Sequence, residues 1–288
     1  LPYCFCSNFF CSVNARELVH VMNELTYGRG RRIPELQALG ESLFAQCEQQ
    51  LPFLAVRKPE EYRLDQRCLP EAAQALTPDA PVTVLSAPQN AEKLICDAYQ
   101  LACGAVPQPL SSAEQEEILR RLLAQPRKRE LEQANYTLLF GGLSLAALTH
   151  LTRHRMQALC APELLRSARY DRYVLPESIR QTGMEAQYRA AFRLADTAST
   201  QLRAAGAGED TLSYLLLSGQ TVPILTTMNA GELSVFFRLR CCNRAQWEIR
   251  DAACAALAAL RKTSPLLFGL YGPTCFISGK CPEGRMTC

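Results

Sequence analysis

Residues 221–250 read TVPILTTMNAGELSVFFRLRCCNRAQWEIR. The pattern changes period partway along. Thr221–Thr227 is a short β-like run. Asn229 stands where a helix N-cap belongs, since its side chain can accept a free backbone N–H. Beyond it Leu233, Phe236 and Phe237 fall on one helical stripe, and Arg240 takes the next position of that stripe. A charge pointing inward needs a partner, or its long stem snorkels to the rim. Both readings of Arg240 stay open on spacing alone.

Outward from this stretch, helix and strand signals mix. Ala245–Lys262 is an alanine-rich helical segment, with Pro265 shortly after its end. Upstream, Met184–Ala205 reads as an amphipathic helix ended by Gly206 and Gly208. Leu143–Arg155 has helical periodicity, and Asn135–Phe140 reads as a strand. Ser111 and Ser112 mark a helix start that Pro126 closes. Asn90–Cys103 is helical in spacing, and Pro81–Leu85 is strand-like.

The same signature occurs twice. Residues 12–18 are SVNAREL and residues 227–233 are TMNAGEL, which sets Asn14 and Asn229 215 positions apart. Pro52-Phe53-Leu54 answers Pro265-Leu266-Leu267 at an offset of 213, so a two-residue difference lies between, near Tyr27–Arg32. Solenoid repeats run about 20–50 residues, and this period is the length of a domain. The expectation is a tandem duplication. Residues 1–56 would be the C-terminal portion of a first copy, 57–80 a charged, proline-bearing linker, and 81–288 a complete second copy.

Composition bounds the class. The chain has 288 residues, 48% hydrophobic and 20% charged, which suits a globular protein with a sizeable core. A net charge of +3 gives no argument for a nucleic-acid polymer, though a bound anion stays open. No apolar run approaches the ~18 residues of a membrane span, and LPYCFCSNFFC lacks the basic region of a signal peptide. The expected compartment is a reducing cytoplasm. The 14 cysteines are mostly scattered singly, as reduced thiols are, rather than arranged as a disulfide scaffold.

Three groups could carry chemistry. Arg153-His154-Arg155 places two guanidiniums and an imidazole in a row, which can bind phosphate and oppose a forming negative charge. They could equally be a basic helix end that complements the helix dipole. Arg240 is the second candidate. Cys275, Cys281 and Cys288 lie in a Gly/Pro-rich run and could hold zinc with one more ligand. That spacing lacks a CxxC knuckle, so free thiols or an adventitious disulfide fit as well.

Together these segments resemble the flavin-dependent thymidylate synthase family. The carriers are RHR at 153–155, MNAGELSVFFRLRCCNRAQWEIR at 228–250 and VNARELVH at 13–20. The likeness covers about 80–270 in order, and 1–56 as a second match. It implies an α+β domain mixing helices with antiparallel sheet, assembled as a homotetramer (or a dimer of tandem chains) with sites at subunit junctions. It implies FAD as cofactor, dUMP as methyl acceptor, and methylenetetrahydrofolate and NADPH as co-substrates, giving dTMP. By this resemblance Arg153, His154 and Arg155 contact flavin and nucleotide, and Asn229 and Asn14 contact flavin, as do Arg16 and His20 in the first copy. His150 stands in place of a substrate-binding glutamine. Arg240 would face the uracil ring, where a fixed cation beside a forming anion lowers a barrier.

The departures bear on the same chemistry. Ala158, Cys160 and Ala161 occupy the family's Ser, Asn and Glu places after RHR. A Ser-x-Arg-Tyr occurs four residues late, at Ser167, Arg169 and Tyr170, as a phosphate loop with an insertion or by chance; Glu163 is a substitute for the displaced acid. Gly231, Val235 and Ser213 replace expected polar groups, while the first copy keeps Arg16 and His20 and carries Leu25 at the counterpart of Arg240. An alternative reading follows: a catalytically degenerate copy that acts as a structural or flavin-site-completing half of a tandem assembly.

Overall fold

The computed structural model describes residues 14–62 and 81–288. The beginning of the expected first copy and most of the expected linker lie outside the described residues. The chain divides into two compact units, Leu1–Ala73 with Ala198–Leu215, and Gln74–Thr197 with Leu216–Cys288.

The first unit holds α1 (Ala15–Thr26), α2 (Pro34–Gln50) and a 3-10 turn at Pro52–Leu54. Met22, Phe44, Cys47 and Leu54 form its small core. Asn23 is fully buried and ties α1 to the outgoing chain, donating to Val56 O at 2.7 Å and accepting from Lys58 N at 2.6 Å. Arg57 lies over the Phe44 ring at 4.2 Å and donates to Tyr27 and Glu41, each at 2.9 Å. Residues 198–215, which the sequence reading put in the second copy, group here. Tyr214 donates to Glu35 at 2.7 Å and Arg32 pairs with Glu209 at 3.5 Å.

The second unit is built on an antiparallel sheet of four strands in the order β1-β2-β4-β3. Its elements are β1 (Val82–Ser86), α3 (Ala91–Ala102), α4 (Ser112–Ala124), β2 (Asn135–Ser144), α5 (Leu145–Leu151), β3 (Gln157–Cys160), α6 (Leu164–Ser167), α7 (Glu177–Gln181) and α8 (Glu185–Ala204). The unit boundary falls within α8. After α9 (Glu209–Ser213) of the first unit come β4 (Thr221–Asn229), α10 (Ala230–Arg240), α11 (Trp247–Thr263), α12 (Pro265–Gly269) and α13 (Thr274–Ser278). The fold is α+β, as the sequence led us to expect.

One face of the sheet is the core. Tyr136, Leu138 and Phe140 of β2 and Val222, Ile224 and Met228 of β4 alternate inward and are buried, under the apolar faces of α10 and α11. Tyr136, Phe237, Phe268 and Tyr271 stack edge to face in this core. The two buried phenols have partners: Tyr136 with Ser264 at 3.0 Å, and Tyr271 donating to Ala230 O at 2.9 Å.

Two local expectations change. The strand expected to stop at Phe140 continues to Ser144, across an irregularity at Gly141 and Gly142, and pairs Leu143 with Val222. The helix after it therefore begins at Leu145 and ends at Leu151, so Arg153-His154-Arg155 lies in a turn rather than on a helix. That turn leads into β3, which pairs with β4 and had no signal in its four residues.

The two Asn-Ala-x-Glu-Leu segments fold alike. Asn14 caps α1 by accepting from Glu17 N at 2.9 Å, and Asn229 caps α10 by accepting from Glu232 N at 2.8 Å. The following helices, α2 and α11, each have 17 residues. Each ends on a residue at φ near −140° (Leu51 at −141°, Ser264 at −139°) followed by proline. Of the two extra residues on the first segment, one lengthens α1, which has 12 residues against 11 in α10, and the other falls in the inter-helix link, which carries a 3-10 turn at Arg29–Arg32.

Candidate active site

The turn bearing Arg153-His154-Arg155 is clamped from behind. Gln157 donates to Leu151 O at 2.7 Å and accepts from the buried Thr226 hydroxyl at 2.7 Å. One side chain thereby binds the end of α5, the start of β3 and the middle of β4. The His154 backbone N–H closes the turn on Leu151 O at 3.1 Å. His154 points inward and is 5% exposed, while Arg153 and Arg155 on either side point to solvent.

His154 sits between two elements of opposite charge on α10. Its Nδ1 lies 3.0 Å from Glu232 Oε1, and Arg240 Nε donates to its Nε2 at 3.1 Å. A guanidinium N–H is always a donor, so Nε2 must carry the lone pair. The proton then lies on Nδ1 and is donated to the Glu232 carboxylate. Carboxylate, neutral imidazole and guanidinium form one chain of hydrogen bonds. Phe236 packs edge-on against the imidazole, with ring centroids 5.1 Å apart, and excludes water from that side.

Helix geometry makes this possible. Glu232 and Phe236 are four residues apart and Arg240 follows four later, so all three share one side of α10. The Asn229 cap fixes the start of the helix and so the height of Glu232. Arg240 thus has the partner an inward charge needs. The chain holds its Nε and, among the described residues, leaves its terminal nitrogens for another group.

Positive charge is concentrated here. Burial, and next Arg153, hold Arg240 below the usual guanidinium range. Burial, and next Arg240 and Arg153, push His150 below the ordinary histidine value. Arg153, His150, His154 and Arg240 are therefore brought together. No carboxylate pairs with Arg153 or Arg155 among the described residues.

The other expected residues are placed differently. Ser167 ends the short α6 and is half-buried. Arg169 is exposed, and its fork is taken by Asp171 through two bonds of 2.9 Å, which lower the Asp171 carboxyl. Asn14, Arg16 and His20 are exposed on α1 in the first unit, where the His20 ring meets the Tyr62 hydroxyl. Cys275, Cys281 and Cys288 are free thiols lining one cavity. The zinc expectation had placed a metal at these three thiols; among the described residues no group of three or more His, Cys, Asp or Glu side chains converges as metal ligands do. Cys275 and Cys288 are exposed, and only Cys281 is half-buried. No helix among the described residues is long and apolar enough to cross a membrane.

Glu232 was missed in the sequence. Its position three after Asn229 reads as an ordinary first-turn acid, and nothing local points to His154, 78 residues away. Glu248 was also read only as part of a motif. It is buried and accepts from Ser144 N at 2.7 Å and Ser144 Oγ at 2.5 Å, which fastens α11 to the β2–α5 junction behind the site.

The family model described as thymidylate synthase complementing protein matches residues 83–266. The flavin-dependent thymidylate synthase of Geobacter sulfurreducens is 34% identical over 187 residues, covering 62% of this chain and 78% of that protein. The one from Clostridium tetani is 31% identical over 232 residues, covering 72% and 92%. Among solved structures, a UMP/dUMP methylase from Streptomyces cacaoi superposes with a TM-score of 0.59 at 16% identity, covering 65% of this chain and 92% of that one, a likeness of fold. The chain, with the RHR turn and α10 inside the matched segment, belongs to the thymidylate synthase complementing protein family.

Proposed function

We propose that this chain carries out flavin-dependent methylation of dUMP to dTMP, with methylenetetrahydrofolate as one-carbon donor and NADPH as reductant. The observation that carries the reading is the Glu232–His154–Arg240 chain, in a member of this family. Support also comes from the names of its relatives, flavin-dependent thymidylate synthases.

The residues suit a dianionic dinucleotide. Arg153 and Arg155 are exposed and lack carboxylate partners among the described residues, so their forks are free for a pyrophosphate. FAD, when bound and reduced, supplies hydride. Arg240 meets the pyrimidine, where its charge favours the ring form ionised at nitrogen. His154 acts behind it, holding the guanidinium plane through Nε, while Glu232 accepts the hydrogen bond from His154 Nδ1 and orients the ring. Arg153 adds a second cation to the same side. Burial, and next these cations, lower the basicity of His150 and favour its neutral ring, which offers one donor and one acceptor to the ring edge.

A second reading is favoured by one observation. The Arg169 fork, which the resemblance would give to phosphate, is closed by Asp171. In that reading the 81–288 copy is degenerate and serves as the structural half of a tandem assembly. The matched caps and helix lengths of α1–α2 and α10–α11 support a tandem origin, with Asn14, Arg16 and His20 offering flavin contacts to a tetramer or a dimer of tandem chains.

One experiment separates the two. The purified chain is reconstituted with FAD and given NADPH without oxygen, then methylenetetrahydrofolate and dUMP. Bleaching of the flavin band and formation of dTMP support the enzyme reading. A protein that takes up no flavin and forms no dTMP supports the degenerate one.

A further inference from the structure

A cavity of about 280 Å³ opens at the C-terminal end of α10. The α10–α11 link forms one wall, and residues 273–288, which lie beyond the segment matched by the family, form the other. Arg238, Arg240 and Arg244 all line it, against Glu283 as the single carboxylate side chain of the lining. Arg238 and Arg244 are exposed, and no carboxylate pairs with either among the described residues. The C-terminus of α10 offers only about half a negative charge, too little to balance three guanidiniums. The crowding is felt beyond the lining: burial, and next Arg238, press the Lys128 amine below its ordinary value. Neighbouring like charges at this density destabilise the fold unless something opposes them.

The walls are held in place. Asn243, beside Arg244, donates to Cys288 Sγ at 3.5 Å, joining the link to the opposite segment. Arg240 is shared: its Nε belongs to His154, and the residue also lines the cavity. The cavity is therefore continuous with the candidate active site through one side chain.

We propose that this cavity is an anion site that takes a phosphate group through Arg238 and Arg244. On the reading above, that group is the phosphate of the nucleotide whose ring meets Arg240. This assignment rests on that reading; the phosphate site itself does not. It also gives the nucleotide's phosphate a place in a chain whose Arg169 is already occupied by Asp171.

The test is calorimetric titration of the whole chain with inorganic phosphate at low ionic strength. Wild type should bind, and the double variant Arg238→Gln/Arg244→Gln should bind about tenfold or more weakly. Both side chains are exposed, so the variant should fold; a cooperative melting curve with a midpoint no lower than that of wild type checks this. Arg169→Gln should bind as wild type does. No binding to wild type, a loss below threefold in the double variant, or a larger loss in Arg169→Gln would overturn the site. A second arm repeats the titration with dUMP present. Competition supports the nucleotide's phosphate as occupant, and undiminished phosphate binding in saturating dUMP overturns that assignment alone. Absence of dTMP formation would leave the phosphate result standing.

Discussion

His154 owes its role to two bonds that fix where its proton lies. With Arg240 donating to Nε2, the proton must stay on Nδ1, facing Glu232. Glu232→Ala removes the acceptor and leaves a buried N–H unpaired, which costs about 1–3 kcal/mol. We expect that loss in denaturant unfolding. We also expect the His154 nitrogen shifts by NMR to keep the Nδ1–H pattern, since Arg240 still donates to Nε2. A switch to the Nε2–H form in Glu232→Ala would mean that Arg240 does not set the tautomer. His150 gives a pH signature. Its basicity is lowered by burial, Arg240 and Arg153, so the unfolded chain binds more protons just below the ordinary value of 6.5. Stability from this group is complete above that pH and falls as pH drops toward the folded value. Replacing His150 with Gln should flatten the melting temperature across this window. Since the chain has three histidines, NMR titration can follow each separately.

Helix caps and junctions were partly legible from residue types alone. The Asn229 and Ser111 caps, the α3 and α8 spans and the inward stripe of Leu233, Phe236 and Phe237 all follow from local spacing, and the structure has them. What spacing could not carry was pairing across the fold. β3 has only four residues, and its existence depends on β4 beside it. Leu143 and Ser144 read as helix because their pairing with Val222 and Thr221 resumes only after the glycines. The partner of Arg240 lies 86 residues away and left no local trace. Glu248 joins two such distant elements. It accepts both Ser144 hydrogens, and the Ser144 hydroxyl oxygen in turn caps α5 by accepting from Ala147 N at 3.0 Å. Glu248→Ala should destabilise the chain by about 3 kcal/mol, since bonds to a charged group contribute about 1.5–3 kcal/mol each. Urea unfolding checks this; a loss below about 0.5 kcal/mol, the scale of ordinary surface changes, would show that the junction does not depend on it.

Across the whole molecule the charge is nearly balanced, at +3, yet it is unevenly placed. Much of the surface pairs its ions along helices, as Arg120 with Glu116 and Arg189 with Glu185 do. Around the RHR turn and the end of α10 the guanidiniums instead face, among the described residues, no carboxylate apart from those named. Such an imbalance fits an anionic ligand, and the function proposed above supplies one, a nucleotide. The account's central claim is that Arg240, held by His154 and Glu232, receives that nucleotide. It is tested most directly by the dissociation constant of dUMP for the FAD-loaded chain, measured for wild type, Arg240→Gln and Glu232→Gln. We expect Arg240→Gln to weaken binding by tenfold or more, and Glu232→Gln to weaken it in the same direction by less. Equal affinity in wild type and Arg240→Gln would contradict the account.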